Sequence, residues 1–313
     1  MSPVVVTGGF GYVGGRIVQK LLSDGFDVRV STRRTQAAIP SWARSTVQWG
    51  SDLKALCDGA GSLVHLAAPN EIICAEDPQR GIAETVALSE QALAAAAGAG
   101  VRRFIYFSTV HVYGPLLGFI DESTPPAPHH PYGEAHLASE AAVEAAAGEN
   151  LAAIALRLSN GFGAPADNGT DRWSLLVNDL CRQAVQDRRI ALKSGGRQLR
   201  DFLPLGDITA ATAHFLKHPV QTLYDVINLS SGKAVSARVM AATILSRAKI
   251  LLGDDISLHI PESGTPDEAP HLVIDNGRLR DAGFCPAADP LDEIDGLLEF
   301  CLQTWPANRH GGF

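Results

Sequence analysis

The chain has 313 residues, 46% of them hydrophobic and 19% charged, with a formal net charge of −8. That is long enough for a full core in one large domain or two coupled ones, and too apolar for a disordered chain. The acidic balance excludes a basic nucleic-acid footprint, although local arginine clusters could still hold phosphates.

Strand and helix signals alternate from the first residues. VVVTGG reads as a buried strand running into a glycine turn, and GGRIVQKLLSDG as a helix that stops at Gly25. FDVRVSTRR is a second strand with a basic end, TVQWGSDL a short strand and DLKALCDGAG a short helix. SLVHLAA is another apolar strand, and RGIAETVALSEQALAAAAGAG a long helix ending at Gly100. VRRFIYFSTV is a strand rich in aromatic and β-branched residues. A Pro- and His-rich loop, PPAPHHP, leads to the helix YGEAHLASEAAVEAAAGEN and then the strand LAAIALRLSN. This alternation predicts βαβ units: an α/β fold with a Rossmann-type doubly wound parallel sheet, covered on both faces.

Beyond Gly161 the rhythm loosens. GFGAPADNGTD reads as a loop, WSLLVNDLCRQAVQD as a helix, GGRQLRDFLPLGD as mixed turn and strand, and ITAATAHFLKH as a helix. We expect residues 1–162 to form the Rossmann-type domain. Residues 163–313 should form mainly a smaller C-terminal lobe, with elements around 203–230 returning to the first domain. There is no internal repeat.

Cys57, Cys74, Cys181, Cys285 and Cys301 are scattered, with no C-x-x-C, which argues for buried thiols in a reducing compartment and against a disulfide framework or a zinc site. No metal is expected. The start MSPVVVTGG lacks a charged leader region, and no stretch reaches the roughly 18 apolar residues of a membrane span. The expectation is a soluble, cytoplasmic protein with neither membrane nor nucleic acid as partner.

TGGFGYVGGR places Gly8, Gly11 and Gly14 in a G-x-x-G-x-x-G spacing between a strand and a helix. Glycines there give a tight turn and let the backbone approach a pyrophosphate, whose charge suits a helix N-terminus. Phe10, Tyr12 and Val13 lie between them and are candidate cofactor contacts. The second strand ends in Ser31-Thr32-Arg33-Arg34, with no acidic residue to accept from a ribose 2′-hydroxyl. Arg33 and Arg34 could instead pair with a 2′-phosphate, which favours NADP over NAD.

Taken in order, TGGFGYVG, GSDL (50–53), HLAA (65–68), FSTVHVYG (107–114), PYGEAH (131–136), RLSNGFG (157–163) and RDFLPLGD (200–207) resemble the extended short-chain dehydrogenase/reductases, the nucleotide-sugar epimerase/dehydratase group. The resemblance covers most of the chain. It implies that Asp52 and Leu53 touch the adenine, and that Leu66, Ala67, Ala68 and Phe107 line the cofactor cleft. It implies Tyr132 as the catalytic tyrosine, Thr109 as the hydroxyl beside it, and Asn160 and Arg200 as holders of the nucleotide, with His111 a further substrate contact. The Ala-rich helices at 81–98 and 134–148 correspond to the helices that pair such enzymes into homodimers.

The family pattern is Tyr-x-x-x-Lys, and here the fifth position is His136. Lysine supplies a fixed charge that lowers the tyrosine pKa, whereas imidazole is mostly neutral at pH 7. His136 is therefore read as a substitute that holds the ribose and tunes Tyr132. Two alternatives remain: a different base from among His111, His129 and His130, or a catalytically weak nucleotide-binding sensor. Val110-His111 stands where dehydratases of the group carry an Asp-Glu pair, which leaves reduction or epimerisation at the sugar C4. The arginines at the second strand end favour an NADPH-dependent 4-keto-sugar reductase, with an epimerase holding tightly bound NAD as the alternative.

Overall fold

Runs of β-branched residues bounded by glycine turns, separated by helices with one apolar face, close into a layered sheet. A computed structural model describes residues 2–218, 222–262 and 271–305. In chain order the first half runs β1 (Val4–Thr7), α1 (Tyr12–Ser23), β2 (Val28–Ser31), β3 (Gln48–Gly50), α2 (Leu53–Cys57), β4 (Ser62–His65), α3 (Glu71–Glu76), α4 (Pro78–Gly98), β5 (Arg103–Thr109), β6 (Gly118–Ile120), α5 (Pro131–Ala146) and β7 (Ala152–Leu158). The second half runs β8 (Asn160–Phe162), α6 (Leu176–Gln186), β9 (Arg189–Ala191), β10 (Leu199–Pro204), α7 (Leu205–Lys217), β11 (Tyr224–Leu229), β12 (Ala234–Ser236), α8 (Ala237–Leu252), β13 (Ser257–His259), β14 (Leu272–Ile274), α9 (Gly277–Asp281) and α10 (Pro290–Thr304).

Seven parallel strands form the main sheet in the order β3-β2-β1-β4-β5-β7-β11. The chain builds outward from β1 in one direction, then returns to build outward from β4 in the other. That reversal opens a crevice at the carboxyl ends of β1 and β4, the place where such Rossmann-type sheets bind ligands. The two-residue period of the strands sorts side chains between two cores. Val4, Val6, Ile105 and Phe107 pack with Ile17, Leu21 and Phe215 from α1 and α7. Val5, Phe104 and Tyr106 pack with Leu93, Ala96 and Val143 from α4 and α5. Phe107 thus lies in the core beneath the crevice, so only its backbone is available to a cofactor.

A second core, built by Leu180, Cys181, Ile244, Ile294 and Leu297 from α6, α8 and α10, lies beside two small sheets, β12-β10-β8 and β13-β9, while β14-β6 packs with Val110 and Val112 in a separate cluster. The sequence pattern does not assign α8 or α10, and it reads as loop the stretch 161–171, which begins with the last two residues of β8. Four bonds tie this part to the glycine loop helix. The Tyr12 hydroxyl is shared between the Gly163 carbonyl at 2.9 Å and Asn178 Oδ1 at 3.2 Å, and Arg16 donates to the Ala164 carbonyl at 2.7 Å and to Glu293 at 3.1 Å.

The helix expected over 134–148 spans Pro131–Ala146 instead. Pro131 occupies the first turn, where its missing N–H costs nothing, and His130 caps the end: its Nδ1 accepts from the Tyr132 N–H at 3.1 Å. Under α5, the Arg157 guanidinium of β7 donates twice to Glu140, at 3.0 and 2.7 Å, and Ser108 of β5 donates to the same carboxylate. Arg157 and Glu140 are almost wholly buried. Arg157 also lies over the Tyr113 ring, 4.7 Å from its centroid. Removing one partner of such a pair leaves an uncompensated buried charge. We therefore expect Glu140→Ala to lower unfolding free energy by about 3–5 kcal/mol in urea titrations; a loss below about 1 kcal/mol would mean that the pair does not brace α5.

Candidate active site

The glycine loop has the geometry its spacing predicts. Gly8 has φ +68°, and a Cβ on it would sit 3.0 Å from the Ala67 nitrogen, so β1 and the loop after β4 meet backbone to backbone. A Cβ on Gly14 would fall 2.2 Å from the Gly8 carbonyl oxygen. The Gly11 N–H closes the turn on that same oxygen at 2.8 Å. Helix α1 starts at Gly11 with no side-chain cap, which leaves its first N–H groups for an anion.

The loop after β4 is held from below. The Leu66 and Ala67 N–H groups donate to the Thr7 hydroxyl at 3.2 and 3.3 Å, and that hydroxyl also bonds His65 Nδ1 at 2.7 Å. The other His65 nitrogen meets Ser89 at 3.3 Å. Burial pushes the His65 pKa down to about 4, so it is a neutral strut near pH 7.

The two arginines after β2 differ. Arg34 folds back and donates to the Phe10 carbonyl at 2.9 Å. Arg33 is 83% exposed, with Glu84 at 3.8 Å. Asp52 is exposed and caps α2, accepting from the Ala55 N–H at 3.1 Å. Its neighbour Leu53 is half-buried against the α4 core.

Tyr132, Thr109, His111, Asn160 and Arg200 line one cleft of about 630 Å³. Thr109 ends β5, where its hydroxyl accepts from the His111 N–H at 3.2 Å. Gly133 explains the PYGEAH sequence: a Cβ there would stand 2.6 Å from the His111 carbonyl oxygen, so only glycine lets the first turn of α5 come this close. Asn160 donates to the Asp201 carbonyl at 2.9 Å, and Arg200 to Gln198 at 3.2 Å. The sequence reading missed one pair in the cleft. Glu71, in the first turn of α3, holds Arg172 at 3.1 Å. They lie 101 positions apart and share no motif, so only the fold brings them together.

His136 lies below Tyr132 on α5, with ring centroids 4.5 Å apart and edge to face. Its Nδ1 bonds the Tyr106 hydroxyl at 2.8 Å. Its Nε2 is buried with no hydrogen-bond partner among the described residues. Burial, reinforced by His65 and His111, pushes the His136 pKa down to about 3. Burial likewise pushes Tyr132 up to about 12, with Arg172 pulling down and Glu71 pushing back. His136 is thus neutral near pH 7 and lends Tyr132 no charge. His130, one of the alternative bases, is occupied as the helix cap.

Three observations test whether a dinucleotide fits here. The glycine cradle would be filled by any Cβ, the α1 N-terminus has no side-chain cap, and a buried imidazole nitrogen lacks the partner such atoms almost always find. All three match a ligand that carries a pyrophosphate and ribose hydroxyls.

The chain belongs to the NAD-dependent epimerase/dehydratase family, whose description matches residues 4–230. It is an enzyme of the short-chain dehydrogenase/reductase type. It is 28% identical over 266 residues to a UDP-glucose 4-epimerase of Streptomyces lividans, covering 77% of this chain and 79% of that protein. It is 26% identical over 321 residues to a UDP-glucose 4-epimerase of Azospirillum brasilense, covering 93% and 89%. In fold it matches the UDP-glucuronic acid 4-epimerase from Bacillus cereus in complex with UDP-glucuronic acid and NAD, with a TM-score of 0.81 at 21% identity, covering 97% of this chain and 100% of that one. No helix among the described residues is long and apolar enough to cross a membrane.

His65 and His136 make stability depend on pH. Both have folded pKa values below the ordinary imidazole value of 6.5. Between 6.5 and those values the unfolded chain binds protons that the native state does not. Their contribution is therefore intact above about pH 6.5 and is lost as pH falls toward 4, at up to about 1.4 kcal/mol per pH unit for each. Thermal unfolding should show Tm falling over that interval, with a shallower slope in His136→Asn; equal slopes would show that His136 is not buried neutral.

Proposed function

We propose that the protein is an NAD-dependent C4 epimerase of a UDP-linked sugar. The observation that carries this reading is the placement of Tyr132 and Thr109 on one cleft, above a buried neutral histidine, with no free acid-base carboxylate following Thr109. Such a site supports oxidation and reduction at a single carbinol carbon. Elimination of water would need a second acid-base group. Val110 and His111 follow Thr109, and the carboxylate that does reach the cleft, Glu71, is engaged by Arg172. Two UDP-glucose 4-epimerases among the relatives support the choice of reaction.

The residues divide the work as follows. The glycine loop and the α1 N-terminus hold a pyrophosphate, Leu66, Ala67 and Ala68 wall the crevice, and His136 Nε2 bonds a ribose hydroxyl. A bound nicotinamide supplies the hydride acceptor and donor. Asn160 and Arg200 hold the nucleotide end of the substrate. Thr109 bonds the sugar 4-oxygen, and Tyr132, as the phenolate, takes the sugar proton during oxidation and, as the phenol, returns it during reduction. With its pKa pushed up to about 12, the Tyr132 phenolate is a strong base but a scarce one near pH 7, so forming it depends on hydrogen bonds to the anion rather than on a neighbouring charge. Proton and hydride both return to the sugar, so epimerisation needs no net proton uptake.

The helices α4 and α5 lie side by side on one face of the sheet and expose Ala94, Ala97, Ala141 and Ala145. Small outward faces of this kind let helices of two copies approach closely, which supports a homodimer.

A second reading, an NADPH-dependent 4-keto-sugar reductase, is favoured by Arg33, which stands exposed at the β2 end with no carboxylate at Thr32 to claim a ribose hydroxyl. On that reading Arg33→Ala weakens NADP by about five- to ten-fold and NAD little, measured by fluorescence quenching; equal effects on both reject a 2′-phosphate contact.

The epimerase reading is tested with UDP-glucose, UDP-N-acetylglucosamine and UDP-glucuronic acid, following C4 inversion by proton NMR. Inversion of one of them without added cofactor is expected, and Tyr132→Phe should reduce kcat at least about 10²-fold, as loss of a positioned general acid does, with KM within a few-fold. Consumption of NADPH by a 4-keto sugar, with no inversion, would establish the reductase instead.

A further inference from the structure

We propose that Tyr106 is a positioning residue. Its hydroxyl donates to His136 Nδ1 and so fixes the imidazole as the tautomer that carries its proton on Nε2. The inference rests on the reading of His136 as the residue that meets the cofactor ribose. It explains how a neutral histidine can stand where the family places lysine: it needs no charge to offer a hydrogen-bond donor, provided the proton is on the correct nitrogen.

The geometry favours this direction of donation. A neutral imidazole has one donor and one acceptor nitrogen, and a phenol has one O–H. The Tyr106 oxygen and His136 Nδ1 are 2.8 Å apart. Tyr106 is 1% exposed and His136 4%, so water does not compete for the bond. The Ser139 hydroxyl also meets the Tyr106 hydroxyl. If Nδ1 carried the proton, the Tyr106 O–H would turn to the Ser139 oxygen, leaving the buried Ser139 O–H unpaired and Nε2 a bare buried lone pair. Two buried polar groups would then lack partners. If Tyr106 donates to Nδ1, its oxygen is free to accept from the Ser139 hydroxyl, which has no other partner among the described residues, and the Nε2–H alone awaits a ligand oxygen. Each buried unpaired group is costly, so the second arrangement is preferred.

The elements around the pair hold it in place. Tyr106 alternates with Phe104 and Ser108 on the face of β5 that meets α5, and the His65 ring stacks on it at 5.8 Å. His65 is itself engaged by Thr7 and Ser89. One residue pair further along, Ser108 bonds Glu140, one helical turn beyond His136. The helix therefore cannot slide to give Nδ1 another partner without breaking the Glu140–Arg157 pair.

The test is long-range nitrogen–proton NMR of the intact protein labelled at histidine, combined with cofactor binding measured by fluorescence. In the wild type the His136 signals should report protonation at Nε2 with or without NAD. A wild-type His136 protonated at Nδ1 overturns the proposal, whatever reaction the enzyme catalyses. Tyr106→Phe keeps the ring and the packing. It should mix the two tautomers and weaken NAD about five-fold, the equivalent of one net hydrogen bond. In a His136→Lys background the same change should leave NAD affinity unaltered, because the ammonium donates without help. A five-fold loss there too would mean that Tyr106 acts through packing and would overturn the proposal. If His136→Ala leaves NAD affinity unchanged, His136 does not hold the cofactor, and both that reading and the use proposed for the tautomer fall together.

Discussion

The register between α5 and β5 is the constraint on which the site depends. Along the helix, Tyr132, His136 and Glu140 recur every four residues and share one face. Along the strand, Tyr106 and Ser108 recur every two and share the face opposite. His136 meets Tyr106, and Glu140 meets Ser108 and Arg157. Each contact fixes the next, and the last in the series sets Tyr132 at the cleft with Thr109. A buried ion pair is weak support for stability against an apolar alternative, but it is intolerant of displacement, because either charge alone is expensive. Here that intolerance falls on the helix that carries the tyrosine.

The chemistry follows from what this register buries. A lysine four residues after the tyrosine would bring a permanent charge into the site. His136 is too deeply buried to hold one, with a pKa near 3. Without ligand, Tyr132 is accordingly a phenol near pH 7, its pKa pushed up rather than down, and it must lose that proton before it can act as the base. On the proposed reading the site is then organised by hydrogen bonds: Tyr106 to His136 below, Thr109 at the sugar oxygen, and the glycine cradle at the pyrophosphate. Such a site moves a proton out and back more readily than it gathers protons from solvent, which suits a reaction whose proton balance is zero.

Much of this was legible in the sequence because it is local. The Gly8-Gly11-Gly14 turn, the strand periods and the Tyr132–His136 spacing are each encoded within a few residues. The carboxylate–arginine pair beneath α5 was not, because Glu140 reads as one polar residue of an amphipathic helix and Arg157 as an interruption in an apolar strand. Tyr106 looked like any aromatic β-former, since nothing local marks a tyrosine whose hydroxyl has a distant partner. Glu71 and Arg172 lie 101 positions apart in the chain, so no local pattern pairs them. The basic end of β2 was legible as composition but not as geometry: of its two arginines, Arg34 turns to the Phe10 carbonyl, which no pattern of charges encodes. His130 likewise looked like a loop residue or a base and is a helix cap.

The most direct measurement is a single turnover. The purified enzyme, loaded with NAD, is mixed with less than one equivalent of UDP-sugar, and nicotinamide absorbance is followed while the sugar is sampled. The account predicts transient reduction that decays as the C4 epimer forms, with the nicotinamide fully oxidised at the end. Inversion without any reduction, or permanent reduction with a ketone left in solution, would contradict it.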